Sequence, residues 1–342
     1  MTKIPSIMLH KAQGWGKFKW VNLQEIMKRA YLNHLLIPAF NVPYLPMVKP
    51  IVDTLKGLNS FGLVQAARPD IEKFEARSFA AVAEEFNKYA DRRYCRLHQD
   101  HIPVIDEDGQ RVDWEDLIKQ ALALHYDSVM IDGSRLSLKE NIRVTKTVVE
   151  MGHRQNVPVE AELGAVMGHE NIPLPPYEEL FCSGKGFTEP RAAERFVKET
   201  SVDWLSVAIG NIHGAISGIA KDQKKIEAKL NIGHLQKISE RVKIPLVLHG
   251  GSGIKLEYLF AAIKNGIAKI NVGTVIRQAY EKKLKEKKDL RYAQEAVTKA
   301  VTKIINDYQI SDSIKVLKGG KMVAAPFRVR RRRLKPVIEN AG

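Results

Sequence analysis

Apolar positions along the chain keep two rhythms in turn. Residues 22–34 place Leu23, Ile26, Met27, Ala30 and Tyr31 at helical spacing, and residues 36–42 follow as a short apolar strand closing on the amide of Asn41. The alternation then repeats. Helices are predicted over 47–58, 76–89, 114–125, 139–152, 190–200, 232–241 and 257–265, and strands over 63–67, 94–98, 128–132, 157–163, 204–209, 245–248 and 267–272. Eight apolar strands, each separated from the next by an amphipathic helix, imply a parallel sheet buried on both faces. That number suits a closed barrel better than a doubly wound sheet. The Gly-x-Gly-x-x-Gly turn that a dinucleotide fold would carry after an early strand is absent. The expected fold is α/β, a (β/α)8 TIM barrel over residues 21–320 with a C-terminal helical extension in which 282–308 reads as charged helix. Residues 1–20 read as a basic N-terminal extension and 321–342 as a basic tail.

In such barrels chemistry gathers at the C-terminal ends of the strands. Polar groups recur there: Asn41, Asp100, His101, Asp132, Glu160, Glu162, His213, His249 and Asn271. The densest stretch is Leu97-His98-Gln99-Asp100-His101, a carboxylate directly before an imidazole at a strand end. That pairing builds metal sites with an adjacent acid/base group, although an isolated Asp-His pair is more often a turn or a satisfied hydrogen-bonding pair. His213 and His249 at later strand ends favour the metal reading. Two connections are long, about a dozen residues after His101 and a stretch rich in Pro and Gly over 164–188. Long loops on this face serve as lids or binding loops.

Composition narrows the picture. With 44% hydrophobic and 27% charged residues the chain is an ordinary globular one, and no apolar run approaches membrane-helix length. Two cysteines, Cys95 and Cys182, make no disulfide framework and suggest a reducing, cytoplasmic setting. The first 24 residues lack Asp and Glu, yet they are poor in Arg and Ser and show no secretory h-region. Part of the net charge of +15 sits in Arg328–Lys335. Such a block can bind nucleic acid or other anions, or be a solvated tail; no aromatic interleaving accompanies it.

Seven segments, AFNV, HQDH, SVMIDGS, VEAELG, AIGNIHGA, LHGGSG and AKINVGT, stand in the order and at about the spacing seen in class II, zinc-dependent fructose-bisphosphate and tagatose-bisphosphate aldolases. The chain resembles that family over roughly residues 20–310. The resemblance implies reversible aldol cleavage of a ketose phosphate to dihydroxyacetone phosphate, or a similar three-carbon ketone, and an aldehyde. It makes His101, His213 and His249 the zinc ligands, with the ion acting as Lewis acid. Asp100 corresponds to the acid/base carboxylate at the hydroxyl of the aldehyde half, and Glu170 to the loop carboxylate that exchanges a proton with carbon. Glu162, Asp132 and Glu160 resemble the acidic groups that hold a second divalent or monovalent cation or a displaced zinc. Gly250, Gly251, Ser252, Asn271, Gly273 and Thr274, with Asn41 and Gly214, resemble the substrate and phosphate site, where glycines let backbone N–H groups close on a phosphate. A homodimer or homotetramer is the implied assembly.

The pocket departs from the family pattern. The Lys after the second ligand is Ser217 here, the Asp near the eighth strand is Gly273, the Ser after the second strand is Ala67, and the His after SVMIDGS is Arg135. Losing a phosphate-binding Lys costs about 1–3 kcal/mol of charge-assisted binding, and Arg68, Arg135 or a partner subunit could compensate. Two other readings stay open: a non-catalytic partner subunit of aldolase type, and a nucleic-acid or anion binder acting through the basic tail. Lys269, on the eighth strand, is the residue to check for Schiff-base chemistry.

Overall fold

The strands are buried on both faces because they face helices on one side and each other's side chains on the other. In this computed structural model, which describes residues 21–166, 177–212, 228–251 and 253–319, they are β1 (Ile37–Asn41), β2 (Gly62–Ala67), β3 (Cys95–Asp100), β4 (Ser128–Asp132), β5 (Val159–Leu163), β6 (Trp204–Val207), β7 (Leu246–Leu248) and β8 (Ile267–Val272). They follow sequence order around a closed parallel barrel, with β8 paired back onto β1. Residues 1–20, 167–176, 213–227, 252 and 320–342 lie outside the described residues, and with them His213, Gly214, Ser217, Glu170, Ser252 and the Arg-rich tail.

The helices begin where side chains take up their free N–H groups. Asn22 caps α1 (Leu23–Leu32), Ser78 caps α4 (Phe79–Tyr89) and Asp113 caps α5 (Trp114–Ala123). Ser137 and Glu140 form a reciprocal capping box on α6 (Leu138–His153). α2 (Val48–Gly57), α8 (Pro190–Thr200), α9 (Ile232–Val242), α10 (Leu256–Lys264) and α11 (Thr274–Lys287) complete the ring. Short α3 (Arg68–Glu72) and α7 (Tyr177–Ser183) sit in the loops after β2 and β5. Apolar residues between barrel and ring, among them Phe40, Phe79, Phe86, Leu97, Val129, Phe196 and Ile270, form the main core. A second cluster packs Leu23, Ile26 and Met27 of α1, and Ile314 and Leu317 of α13 (Ser313–Leu317), under Ile37, Leu63, Trp204 and Val247. Its members include the first halves of the strands, so it closes the lower end of the barrel and leaves the C-terminal end to the loops.

Several element ends lie two or three residues from expectation, α4 starting at Phe79, β5 at Val159 and β6 ending at Val207, and two differences are larger in consequence. β3 runs on past His98 to Asp100, because Gln99 and Asp100 still pair with Ala66 and Ala67 of β2. Their polarity reads as loop, but Gln99 donates to the Leu117 carbonyl (2.9 Å) and Asp100 is held by amides. The charged stretch 282–308 is not one helix. Lys288 takes a left-handed conformation (φ 51°), Asp289 caps a new start, and α12 (Leu290–Asp307) folds back against α11 and α2.

Candidate active site and metal centre

Consecutive strand residues point to opposite faces, so Asp100 and His101 should diverge. They do not. His101 has φ 41°, a left-handed value that a non-glycine residue holds at a cost of about 1–3 kcal/mol. This turn brings both side chains onto one cavity above the barrel.

There His101 Nε2 lies 2.7 Å from His249 Nδ1, the residue after β7, and Glu162 Oε2 of β5 lies 3.0 Å from the same nitrogen. One atom from each of the three falls within 4.8 Å of the others. The opposite ring nitrogens face carboxylates, His249 Nε2 at 2.9 Å from Glu160 Oε1 and His101 Nδ1 at 3.6 Å from Asp132 Oδ2. Carboxylates behind ligand imidazoles are the usual means of aiming them. Burial disfavours an imidazolium at His101, but the nearby carboxylates of Asp132, Asp100 and Glu162 outweigh it and lift the pKa to about 10. Asp132 feels the converse: burial raises it, and His101 together with Ser134 brings it down to about 2. The carboxylates around the cluster thus favour positive charge at His101. Two imidazoles and a carboxylate are a donor set that fits zinc or a similar divalent ion, so the residues present suit the ion that the resemblance implies.

Asp100 is buried and receives three amide donors: Asn271 Nδ2 (2.9 Å), Asn41 Nδ2 (3.1 Å) and Gln65 Nε2 (3.0 Å). Burial would raise its pKa, yet the charges of His101, Lys269 and His249 win and lower it. Gln65 was not foreseen, nor was Asp70, whose Oδ2 accepts from the Ala67 N–H (2.8 Å) and from Asn41 Nδ2 (3.1 Å). Burial pushes Asp70 up to about 6. A carboxylate three residues past a strand end, behind Arg68-Pro69, was the available signal.

Lys269 sits under the site. Its Nζ is 2.8 Å from Glu160 Oε2 and donates to Asn271 Oδ1 at 2.8 Å, both side chains of the ion pair being fully buried. Trp204 Nε1 donates to the same carboxylate at 2.6 Å. Burial opposes ionisation of Glu160, but Lys269 and His249 hold it well below the usual carboxylate range. His98, Asp100 and Glu160 also converge; there Lys269 already supplies the cation. Burial and Lys269 depress His98 to about 3.

Gly250, Gly251, Asn271, Gly273 and Thr274 line the same cavity. A Cβ on Gly251 would stand 2.3 Å from Ile270 Cγ1 and 2.9 Å from the Asn271 carbonyl. Only glycine lets the β7 loop lie this close to β8. Of the other departures from the pattern, Ala67, Arg68 and Arg135 are also in the lining. Arg68 is spent on Glu72 (2.6 Å) and Asp106 (3.1 Å).

A (β/α)8 barrel with imidazoles converging beside a buried carboxylate at its C-terminal face is a barrel enzyme's arrangement, with residues able to hold a metal ion. The chain belongs to the class-II fructose-bisphosphate aldolase family, whose family model matches residues 21–313, and it is a lyase. It is 34% identical over 252 residues to the D-tagatose-1,6-bisphosphate aldolase subunit GatY of Klebsiella oxytoca, covering 73% of this chain and 79% of that one. It is 32% identical over 269 residues to the 6-phospho-5-dehydro-2-deoxy-D-gluconate aldolase of Bacillus licheniformis (77% and 82%). The match to a Geobacillus stearothermophilus fructose-bisphosphate aldolase is 39% over 168 residues, 53% of that protein's length. Among solved structures, the YdjI aldolase of Escherichia coli K12 superposes with a TM-score of 0.68 at 27% identity, covering 86% of this chain and 98% of that one.

Proposed function

We propose that the protein catalyses reversible aldol cleavage of a ketose phosphate, giving dihydroxyacetone phosphate or a similar three-carbon ketone and an aldehyde, with zinc at His101, His213 and His249. The observation that carries this reading is the convergence of His249 Nδ1 on His101 Nε2, at the wall of the cavity that His101 and Asp100 line. A bound divalent ion would polarise the ketone carbonyl and stabilise charge as the carbon–carbon bond breaks.

The chain's own groups do the rest. Asp100, oriented by Asn41, Gln65 and Asn271, takes the proton from the hydroxyl of the aldehyde half. The O–H electrons become the aldehyde carbonyl, and the broken carbon–carbon bond leaves its pair on the three-carbon ketone, delocalised into its carbonyl. Glu170 returns a proton to that carbon. Backbone groups of Gly250, Gly251 and Gly273, with Thr274, Ser252, Asn271 and Gly214, hold the donor phosphate. One ion is enough for this reading, since Glu162 lies against His249 and Asp132 against His101. We place the protein in the cytoplasm as a homo-oligomer; among the described residues no helix is long and apolar enough to cross a membrane.

The test is proton exchange at the reactive carbon of dihydroxyacetone phosphate, followed by NMR in D2O with and without chelator. Chelator-sensitive exchange, lost together with zinc binding in His213→Ala, is the expected result. Absence of exchange in zinc-loaded protein would sink the donor assignment and favour a non-catalytic aldolase-like subunit.

A further inference from the structure

The carboxylate assigned to proton transfer has a neighbour that the reaction above leaves unused. Asp70, on α3 just past β2, lines the cavity although it is only 8% exposed. Its Oδ2 is spent, accepting from the Ala67 N–H (2.8 Å) and from Asn41 Nδ2 (3.1 Å). Its Oδ1 makes no hydrogen bond among the described residues. A buried carboxylate oxygen without a donor is costly, and this residue borders an open cavity, so the missing donor is one that a ligand can bring. Asn41 Nδ2 donates to Asp100 Oδ2 as well, again at 3.1 Å. Both carboxylates thus stand within reach of one amide nitrogen. A substrate whose hydroxyl meets Asp100 presents to Asp70 a group on a nearby carbon. The donor phosphate is assigned to the turns after β7 and β8, so the half that extends toward β2 is the aldehyde half.

Charge says what that group is not. With its pKa pushed up only to about 6, Asp70 is a carboxylate at neutral pH. The strand-end Ser of the family pattern is Ala67 here, and the Ala67 N–H that an anion would take is held by Asp70 itself. The cations of the lining are committed or distant. Arg68 is paired with Glu72 and Asp106, and Arg277, 4% exposed, is paired with Glu281 at 2.7 Å beneath the ring of Phe74. Arg135 is exposed and follows β4, two strands from β2. A phosphate beside Asp70 would meet its own sign of charge in a partly desolvated place, whereas a hydroxyl can donate to Oδ1. Resting on the aldolase reading above, we propose that Asp70 is a specificity-determining residue that accepts a hydroxyl of an uncharged, hydroxylated aldehyde half and turns away a phosphorylated one.

The experiment is condensation of dihydroxyacetone phosphate with racemic glyceraldehyde or with racemic glyceraldehyde 3-phosphate, in zinc-loaded wild type, Asp70→Asn and Asp70→Ser. Proton exchange on dihydroxyacetone phosphate, measured alongside, reports whether each protein is folded and metal-loaded. Wild type should have the higher kcat/KM for the uncharged aldehyde. Asn keeps an oxygen for the Ala67 N–H and Asn41 but puts an N–H in place of the free Oδ1. Asp70→Asn should therefore lower the preference for the uncharged aldehyde by about 10–100-fold while changing exchange less than about 3-fold. Asp70→Ser, smaller and equally uncharged, carries the same expectation should the Asn variant fail to exchange. A wild type that prefers the phosphorylated aldehyde, or that exchanges but condenses with neither, would overturn the assignment. So would variants that slow both aldehydes equally, the mark of a residue that only caps α3. A wild type without exchange would sink the aldolase reading itself, a separately visible failure.

Discussion

Lys269 and Glu160 are both fully buried, and each charge is tolerable only because the other is there. Glu160→Gln should therefore destabilise the protein by about 3–5 kcal/mol, read as a lowered urea midpoint, since it strands the ammonium and releases His249 Nε2. Unchanged stability would mean that Asn271 alone satisfies Lys269. At this scale the strand-end carboxylates and imidazoles were legible, because residue type and position carry them. Arg277 was not. Nothing in Thr274-Val275-Ile276-Arg277 distinguishes a buried guanidinium from a solvated one until Phe74 and Glu281 arrive from elsewhere. The left-handed turn of His101 was equally hidden, since the sign of φ leaves no mark on a non-glycine residue.

Among the elements, the β7–α10 turn depends on a missing side chain. Gly251→Ala drives a methyl into Ile270 and the Asn271 carbonyl, and backbone does not yield as a flexible side chain does. The expected cost is about 1–3 kcal/mol, seen as a lower midpoint in thermal or urea unfolding; a neutral variant would show that the turn can move off β8. Element order and type followed from periodicity, and boundaries failed where polarity misleads. β3 is longer than its apolar run because neighbouring strands supply amides to Asp100. The break between α11 and α12 falls at Lys288-Asp289, two charged residues inside a charged stretch, so no change of composition announces it.

For the molecule as a whole, the candidate metal-binding cluster of His101, Glu162 and His249 joins β3, β5 and β7 across the open end of the barrel, while α1 and α13 close the other end. An ion bound only by the folded state adds about 4 kcal/mol at a thousandfold excess over its dissociation constant. Chelation should thus lower Tm by several degrees, zinc should restore it, and His249→Ala should show no zinc-dependent shift. A Tm indifferent to chelator in wild type would argue against a zinc centre at these imidazoles.

The amino-acid sequence by itself determined the barrel, the order of its strands and which strand ends carry imidazole or carboxylate, because each is a local property of periodicity and residue type. Only the tertiary structure decided which ring nitrogens of His101 and His249 face each other, which carboxylates stand behind them, and that Arg277 faces the same cavity as Asp100. Those relations join residues from different elements, His101 and His249 being 148 positions apart, and barrel closure alone sets the distances between them.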